Sequence, residues 1–313
     1  MLHKKTKILV GFVNQVYTPN LCFGVFDPEK EVFFWVENEE INALYSDVKG
    51  VNGIKVHESK IYVTFQSEIP KMAIFDLGFN LLSVFHLDSI KNPHSFCFYK
   101  NKLICVSTGS DELYQINIKD NKYNGVERFW VHSDNNNRDD RHHVNSVTSF
   151  NDELIITQFG KKKSNTWSDS KQGLLFNINK EKPLVVDLHQ PHTAFVDRYD
   201  NELYACESGH GKLILPNTEK IHLGGYLRGI TSSKSHLFIG SSKMRIKSRS
   251  QGTLNEGSIN NHNEERFIWK YIFSVDHKII GLQYGITSLL FLLFGFSLMA
   301  IMRWQLAYPG TEI

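Results

Sequence analysis

SFCFYKNKLICVS (Ser95–Ser107) decides the fold. Aromatic and aliphatic residues fill Phe96–Tyr99, Lys100-Asn101 supplies a polar turn, and a second apolar run covers Leu103–Val106. Two short β-prone runs separated by turn residues read as a hairpin. The same unit returns as GIKVHESKIYVTF (Gly53–Phe65), SVTSFNDELIITQ (Ser146–Gln158), TAFVDRYDNELYACES (Thr193–Ser208) and GITSSKSHLFIGS (Gly229–Ser241). Anchored on Ile61, Leu103, Leu154, Leu203 and Leu237, the steps are 42, 51, 49 and 34 residues. A second hairpin follows most units, as in Met72–Leu87, Glu112–Val131 and Gly173–Leu188, and Leu21–Val36 has the same form. Four strands per ~45 residues is the arithmetic of a β-propeller, in which small twisted sheets close radially. A β-sandwich is the competing all-β architecture, but it has no need of one unit five times. The expectation is an all-β propeller of about five to six blades. Its first unit has three strands and its last has two, so either these share a blade or the ring is cut short.

A propeller places equivalent positions of its innermost strands at one end of the central channel. Counting nine residues back from four anchors reaches Asn52, His94, Asn145 and Arg228. In the remaining unit the turn is two residues longer, and Pro191-His192-Thr193 echoes Pro93-His94-Ser95, which puts His192 in the set. Two imidazoles, two amides and a guanidinium at a channel mouth suit a small polar or anionic ligand. A structural polar ring with ordered water is the alternative. A third is a metal or catalytic centre on His94 and His192, although no acid occupies an equivalent position.

The chain has 313 residues and a net charge of +2, which gives no global field for nucleic acid. Cys22, Cys97, Cys105 and Cys206 show no CxxC pair and read as buried free thiols in a reducing compartment. The apolar run Ile8–Val13 is too short for a signal peptide and reads as a first strand. His142-His143, behind Asp139-Asp140, lies in the polar run SDNNNRDDRHH and reads as a solvated loop rather than a metal site. Lys161-Lys162-Lys163 reads as a charged turn. Lys243, Arg245, Lys247 and Arg249 put four positive charges on one face of an extended segment, a linker or a contact with anionic lipid. No GxGxxG, P-loop, GxSxG or HExxH motif is present.

From Ile279 to Met302 no Asp, Glu, Lys or Arg occurs. A helix of that length crosses the ~30 Å hydrocarbon core of a bilayer. The chain therefore divides into a propeller domain (1–242), a polar and basic linker (243–265) and a membrane segment (266–313). Arg266, Lys270 and Lys278 precede the span and Arg303 alone follows it, which favours a single-pass protein with its N-terminal domain in the cytoplasm.

Two resemblances follow. VNGI (Val51–Ile54), NPHSF (Asn92–Phe96), HVNSV (His143–Val147), QPHTAF (Gln190–Phe195) and GYLRGI (Gly225–Ile230), in that order, resemble an uncharacterised bacterial propeller-like family known as a domain of unknown function. SSK (Ser241–Lys243) and SRSQGT (Ser248–Thr253) extend the likeness to about residues 8–255. It implies the fold and no activity. The residues Trp269, Phe273, Asp276-His277-Lys278, Ile280-Gly281, Arg303, Leu306 and Pro309-Gly310 resemble the N-terminus and first transmembrane helix of cytochrome c oxidase subunit I, a haem-copper oxidase. That resemblance implies haem a, with Arg303 holding a substituent of the low-spin haem, and it implies oxidase subunits as partners. Gln305 stands where many members carry an acid, which leaves a cation site there in doubt. The family's haem-ligating histidines and copper ligands lie on later helices, so no axial ligand is expected from this chain. Three functions are compatible: a membrane-anchored binding module, a propeller enzyme of metal-dependent hydrolase or isomerase type, and a chimeric or fragmentary oxidase product.

Overall fold

In the computed structural model, strands form where the alternation of apolar residues puts them. The structure describes residues 6–13, 22–37, 39–135, 137–164, 166–167, 170–242, 247–248, 252–253 and 277–307. Two compact units divide the chain, Met1–Gly252 and Thr253–Ile313.

The first unit is a propeller arrangement of four complete blades with a partial sheet at each end. A three-stranded sheet opens it, β1 (Ile8–Gly11), β2 (Phe23–Asp27) and β3 (Val32–Trp35). After the short helix α1 (Glu39–Leu44) come four complete four-stranded blades. They are β4 (Val48–His57), β5 (Lys60–Ser67), β6 (Lys71–Asp76), β7 (Leu81–His86); β8 (Pro93–Tyr99), β9 (Lys102–Ser107), β10 (Glu112–Lys119), β11 (Lys122–Val131); β12 (Val144–Phe150), β13 (Glu153–Gln158), β14 (Gly173–Asn177), β15 (Lys182–Leu188); and β16 (Pro191–Val196), β17 (Leu203–Glu207), β18 (Lys212–Ile214), β19 (Lys220–His222). The hairpin β20 (Tyr226–Ser232) and β21 (Leu237–Ser242) follows as a two-stranded sheet. Among the described residues no ladder joins this last sheet to the first.

Each blade is an antiparallel meander. The tight turns explain why the repeat is so legible. Glu58-Ser59, Lys100-Asn101, Asp120-Asn121 and Asn151-Asp152 each hold two successive residues at positive φ. That is the mirror-image turn whose twist matches the flanking strands. The first strand of each unit lies innermost: β1, β4, β8, β12, β16 and β20 contact one another in that order.

The core is divided into layers between blades. Phe23, Tyr45, Phe65 and Phe75 are fully buried between the first sheet and β4–β7, with Phe23 5.8 Å from Phe75 and 6.4 Å from Tyr45. Met72, Ile74, Phe96 and Cys105 fill the next layer, and Val106, Leu113, Val147 and Ile156 the one after. All four cysteines are buried and unpaired. Burial pushes the thiols up, Cys22 to about 11 and Cys97 and Cys206 to about 12, so they behave as small apolar side chains.

The second unit contains one long helix, α2 (His277–Ala307). Its stretch Thr287–Trp304 has a mean hydropathy of 1.6 and is long and apolar enough to span a membrane. Phe291, Leu292 and Phe294 are all more than 60% exposed.

Candidate functional site

The five ring positions share one backbone device. Asn52, His94, Asn145 and Arg228 lie within a break of register between the inner strand and its neighbour, and His192, still paired with Cys206, is the residue at which such a break begins. The breaks fall between Val51 and Gly53, Pro93 and Phe96, Val144 and Ser146, His192 and Phe195, and Leu227 and Ile230. A β-bulge re-aims the side chain it carries, and here it frees one residue per blade from the inter-blade packing.

In three blades the turn before the bulge is also the same. Asn92, His143 and Gln190 have φ of 54°, 53° and 50°, and each lies two residues before a ring position. The ring side chain faces the carbonyl of that turn residue: His94 Nδ1 with Asn92 O at 3.4 Å, Asn145 Nδ2 with His143 O at 3.1 Å, and His192 Nδ1 with Gln190 O at 3.2 Å. A left-handed turn followed by a side-chain donor thus recurs from blade to blade.

The two amides are turned into the frame. Asn52 Nδ2 donates to Pro93 O of the following blade at 2.6 Å. Asn145 does the same to Pro191 O at 3.0 Å, and its Oδ1 accepts from Thr157 Oγ1 at 2.7 Å. With His143 O as its second acceptor, the Asn145 amide is saturated. Both amides latch consecutive inner strands, where the sequence pointed to ligand contacts.

His94, His192 and Arg228 belong to a continuous arc of rings instead. His94 lies 5.6 Å from His143, His143 4.4 Å from Phe159, and Phe159 5.0 Å from His192. His192 lies 5.4 Å from Tyr226, whose ring sits 5.1 Å beneath the Arg228 guanidinium. Burial, reinforced by His143 and Arg228, holds His94 down to about 3. His192 is held well below the imidazole range by burial and then by Arg228, His143 and His94. Both rings are neutral at physiological pH. Arg228 is half-buried and has no carboxylate partner among the described residues.

His143 is the member that sequence counting misses. Its Nδ1 lies 3.1 Å from both carboxylate oxygens of Asp140, and the Trp167 ring, 5.1 Å away and buried, backs it. The polar run around it was expected to be solvated, but Asp111 draws its backbone inward. The buried Asp111 carboxylate accepts from the backbone N–H of Arg141 at 2.8 Å, His142 at 2.7 Å and Val144 at 3.1 Å. His142 is buried, stacked 3.7 Å from His132. Such a long-range clamp has no local signature. The available signal was the alignment of His143-Val144-Asn145 with Asn92-Pro93-His94 and Gln190-Pro191-His192, whose first residues are equivalent.

Of the other candidates, Lys161 pairs with Asp134 at 2.9 Å and Lys162 lies 4.9 Å above the Trp167 ring, a turn beside the arc. Lys243, Arg245 and Arg249 lie outside the described residues. Arg303 is exposed in the last turns of α2. Among the described residues no group of three or more His, Cys, Asp or Glu is arranged to hold a metal ion, and His94 and His192 find no acidic third ligand. What the arc offers is one fixed cation, neutral imidazoles and aromatic walls.

Comparison with known proteins bears on the fold and not on the site. Residues 130–266 match a family described as "Domain of unknown function (DUF4915)". A 52-residue stretch is 42% identical to cytochrome c oxidase subunit 1 of Synechocystis sp. (strain ATCC 27184 / PCC 6803 / Kazusa). It covers 17% of this chain and 9% of that protein, so the chain matches less than a tenth of its curated relative. Among solved structures, a chain of a nidogen/laminin complex superposes with a TM-score of 0.51 at 11% identity, covering 75% of this chain and 86% of that one. A structure titled Dos1 propeller matches with a TM-score of 0.40 at 9% identity over 80% and 69% of the two chains. The first of these likenesses speaks for the fold alone.

Proposed function

We propose that the propeller is a binding module for a small anion, taken up at the channel mouth by Arg228 with His94, His143 and His192 around it. The observation that carries this reading is the guanidinium itself. A half-buried cation without an acidic partner among the described residues has its donors available, and Arg offers a planar fork suited to carboxylate or phosphate. Titrating the full chain in detergent with inorganic phosphate tests it. Binding should weaken by about 10- to 100-fold in Arg228→Gln, the magnitude of a hydrogen bond to a charged group. Equal binding by both proteins would refute the assignment.

We place the module at a membrane through α2, on the cytoplasmic side. The span Thr287–Trp304 and the excess of Arg266, Lys270 and Lys278 over Arg303 support this orientation. Carbonate-resistant membrane association, with the propeller cleaved by protease only in inside-out vesicles, is the expected result. Cleavage in right-side-out vesicles would reverse the orientation.

One observation favours a second, enzymatic reading. The Asp140 carboxylate orients His143 as in a general-base pair. Hydrolysis of activated esters or lactones that is lost in His143→Gln would support it, and no turnover across such a panel would remove it. The oxidase likeness supports a third possibility, a junction between unrelated coding segments, and haem a or oxidase subunits enter only there. Long-read transcript sequence across residues 255–266 decides between a genuine fusion and a join of that kind.

A further inference from the structure

The hydrogen positions on the histidines narrow the ligand further than its charge does. His192 Nδ1 has two neighbours, Gln190 O at 3.2 Å and Ser208 Oγ at 3.1 Å. The Ser208 hydroxyl gives its own hydrogen to Leu227 O at 2.5 Å, so both neighbours of Nδ1 are acceptors and Nδ1 carries the hydrogen. The ring is neutral, held there by burial and by Arg228, so Nε2 has a lone pair and no hydrogen. This Nε2 is buried, on a side chain only 4% exposed, and has no hydrogen-bond partner among the described residues. An orphaned buried acceptor of this kind is destabilising unless something donates to it.

His94 repeats the arrangement, with Nδ1 towards Asn92 O, a neutral ring and no protein partner at Nε2 among the described residues. His143 turns its Nδ1 to the Asp140 carboxylate, which accepts its hydrogen. The mouth therefore combines donors from one cation with acceptors from imidazoles. A bare inorganic anion or a fatty acid satisfies the first and leaves the second unmet.

Resting on the anion reading above, we propose that the ligand is a hydroxylated organic anion: an acidic group for Arg228 and hydroxyls that donate to Nε2 of His192 and His94. The buried rings of Phe159 and Tyr226, which flank His192 at 5.0 and 5.4 Å, fix the orientation of its imidazole. A sugar acid, a hydroxycarboxylate and a sugar phosphate share this chemistry.

The test is isothermal titration of the full chain in detergent at pH 7.5 against matched pairs. Glycerate, gluconate, glucuronate and malate are set against propionate, hexanoate, cyclohexanecarboxylate and succinate, and glycerol 3-phosphate against propyl phosphate. The expected result is that at least one hydroxylated member binds about tenfold tighter than its deoxy partner, one good hydrogen bond's worth. Whether it is a carboxylate or the phosphate identifies the source of the acid. His192→Asn and His94→Asn supply the control, because the Asn145 amide already makes the equivalent bond to the turn carbonyl. Each variant keeps that bond and removes Nε2, so the melting temperature should hold while the hydroxyl preference falls. If phosphate binds but no hydroxylated member beats its partner, the present inference fails and the anion site stands. If neither phosphate nor any organic anion binds, both fall. A preference unchanged in both variants would also overturn it.

Discussion

The blades that begin with asparagine and the blades that begin with histidine are built alike at the same place. Both break register at the ring position or directly after it, and in three of them a left-handed turn lies two residues earlier with the ring side chain donating to its carbonyl. They differ in what is left over. The Asn145 amide has two hydrogens and a carbonyl, and all are satisfied by His143, Pro191 and Thr157. His192 completes the same local bond with Nδ1 and still has a nitrogen to offer. Equivalent positions thus separate into frame and site by hydrogen-bond valence, which polarity alone does not reveal.

The largest expected effect comes from breaking the frame. Asn145→Leu removes three buried hydrogen bonds and leaves Pro191 O and His143 O without their donor, so urea unfolding should show a loss of about 3 kcal/mol or more. A loss below 1 kcal/mol would mean that the latch is incidental. Asn52 makes a single such bond from a half-buried position, and Asn52→Ala should cost about 1 kcal/mol by the same measurement. A cost equal to that at Asn145 would erase the distinction between a saturated and a partial latch.

Acid sharpens the contrast without changing much at neutral pH. His94 and His192 have folded-state values below the ordinary imidazole value of 6.5. Above pH 6.5 the imidazoles are neutral in both folded and unfolded chains and the full stability is present. As pH falls through 6.5 towards 3, the unfolded chain takes up protons that the folded one refuses, and stability declines. His132, held to about 4 by burial and His142, adds to the same trend. The double variant His94→Asn, His192→Asn should therefore lose less stability between pH 6.5 and 4 than the parent, judged by urea midpoints at each pH. Parallel curves would show that neither ring titrates abnormally. The smallest effect is expected of Lys161→Ala, whose exposed pair with Asp134 lies outside the arc; about 0.5 kcal/mol or less should be lost by thermal unfolding.

Much of this was legible before any coordinates. The hairpin repeat gave strand number and order because its two-residue turns and β-prone runs are local signals. The ring positions followed because a fixed offset from an anchor survives as long as each bulge inserts the same number of residues. His143 was hidden for a physical reason. Its run of Asn, Asp and Arg has the composition of a solvated loop, and only Asp111, some thirty residues earlier, turns it inward. The division of labour between Asn and His was equally unreadable, since it depends on which carbonyl of the next blade comes within reach.

The recurring bond from ring side chain to turn carbonyl has a consequence for how such a channel can change. Asparagine and histidine present the same donor at the same distance from the main chain, so either letter closes the turn. Putting asparagine for histidine at one position per repeat rewrites the vocabulary of the lumen while the turn stands, whereas the reverse exchange at Asn145 would give up its bond to Pro191 O.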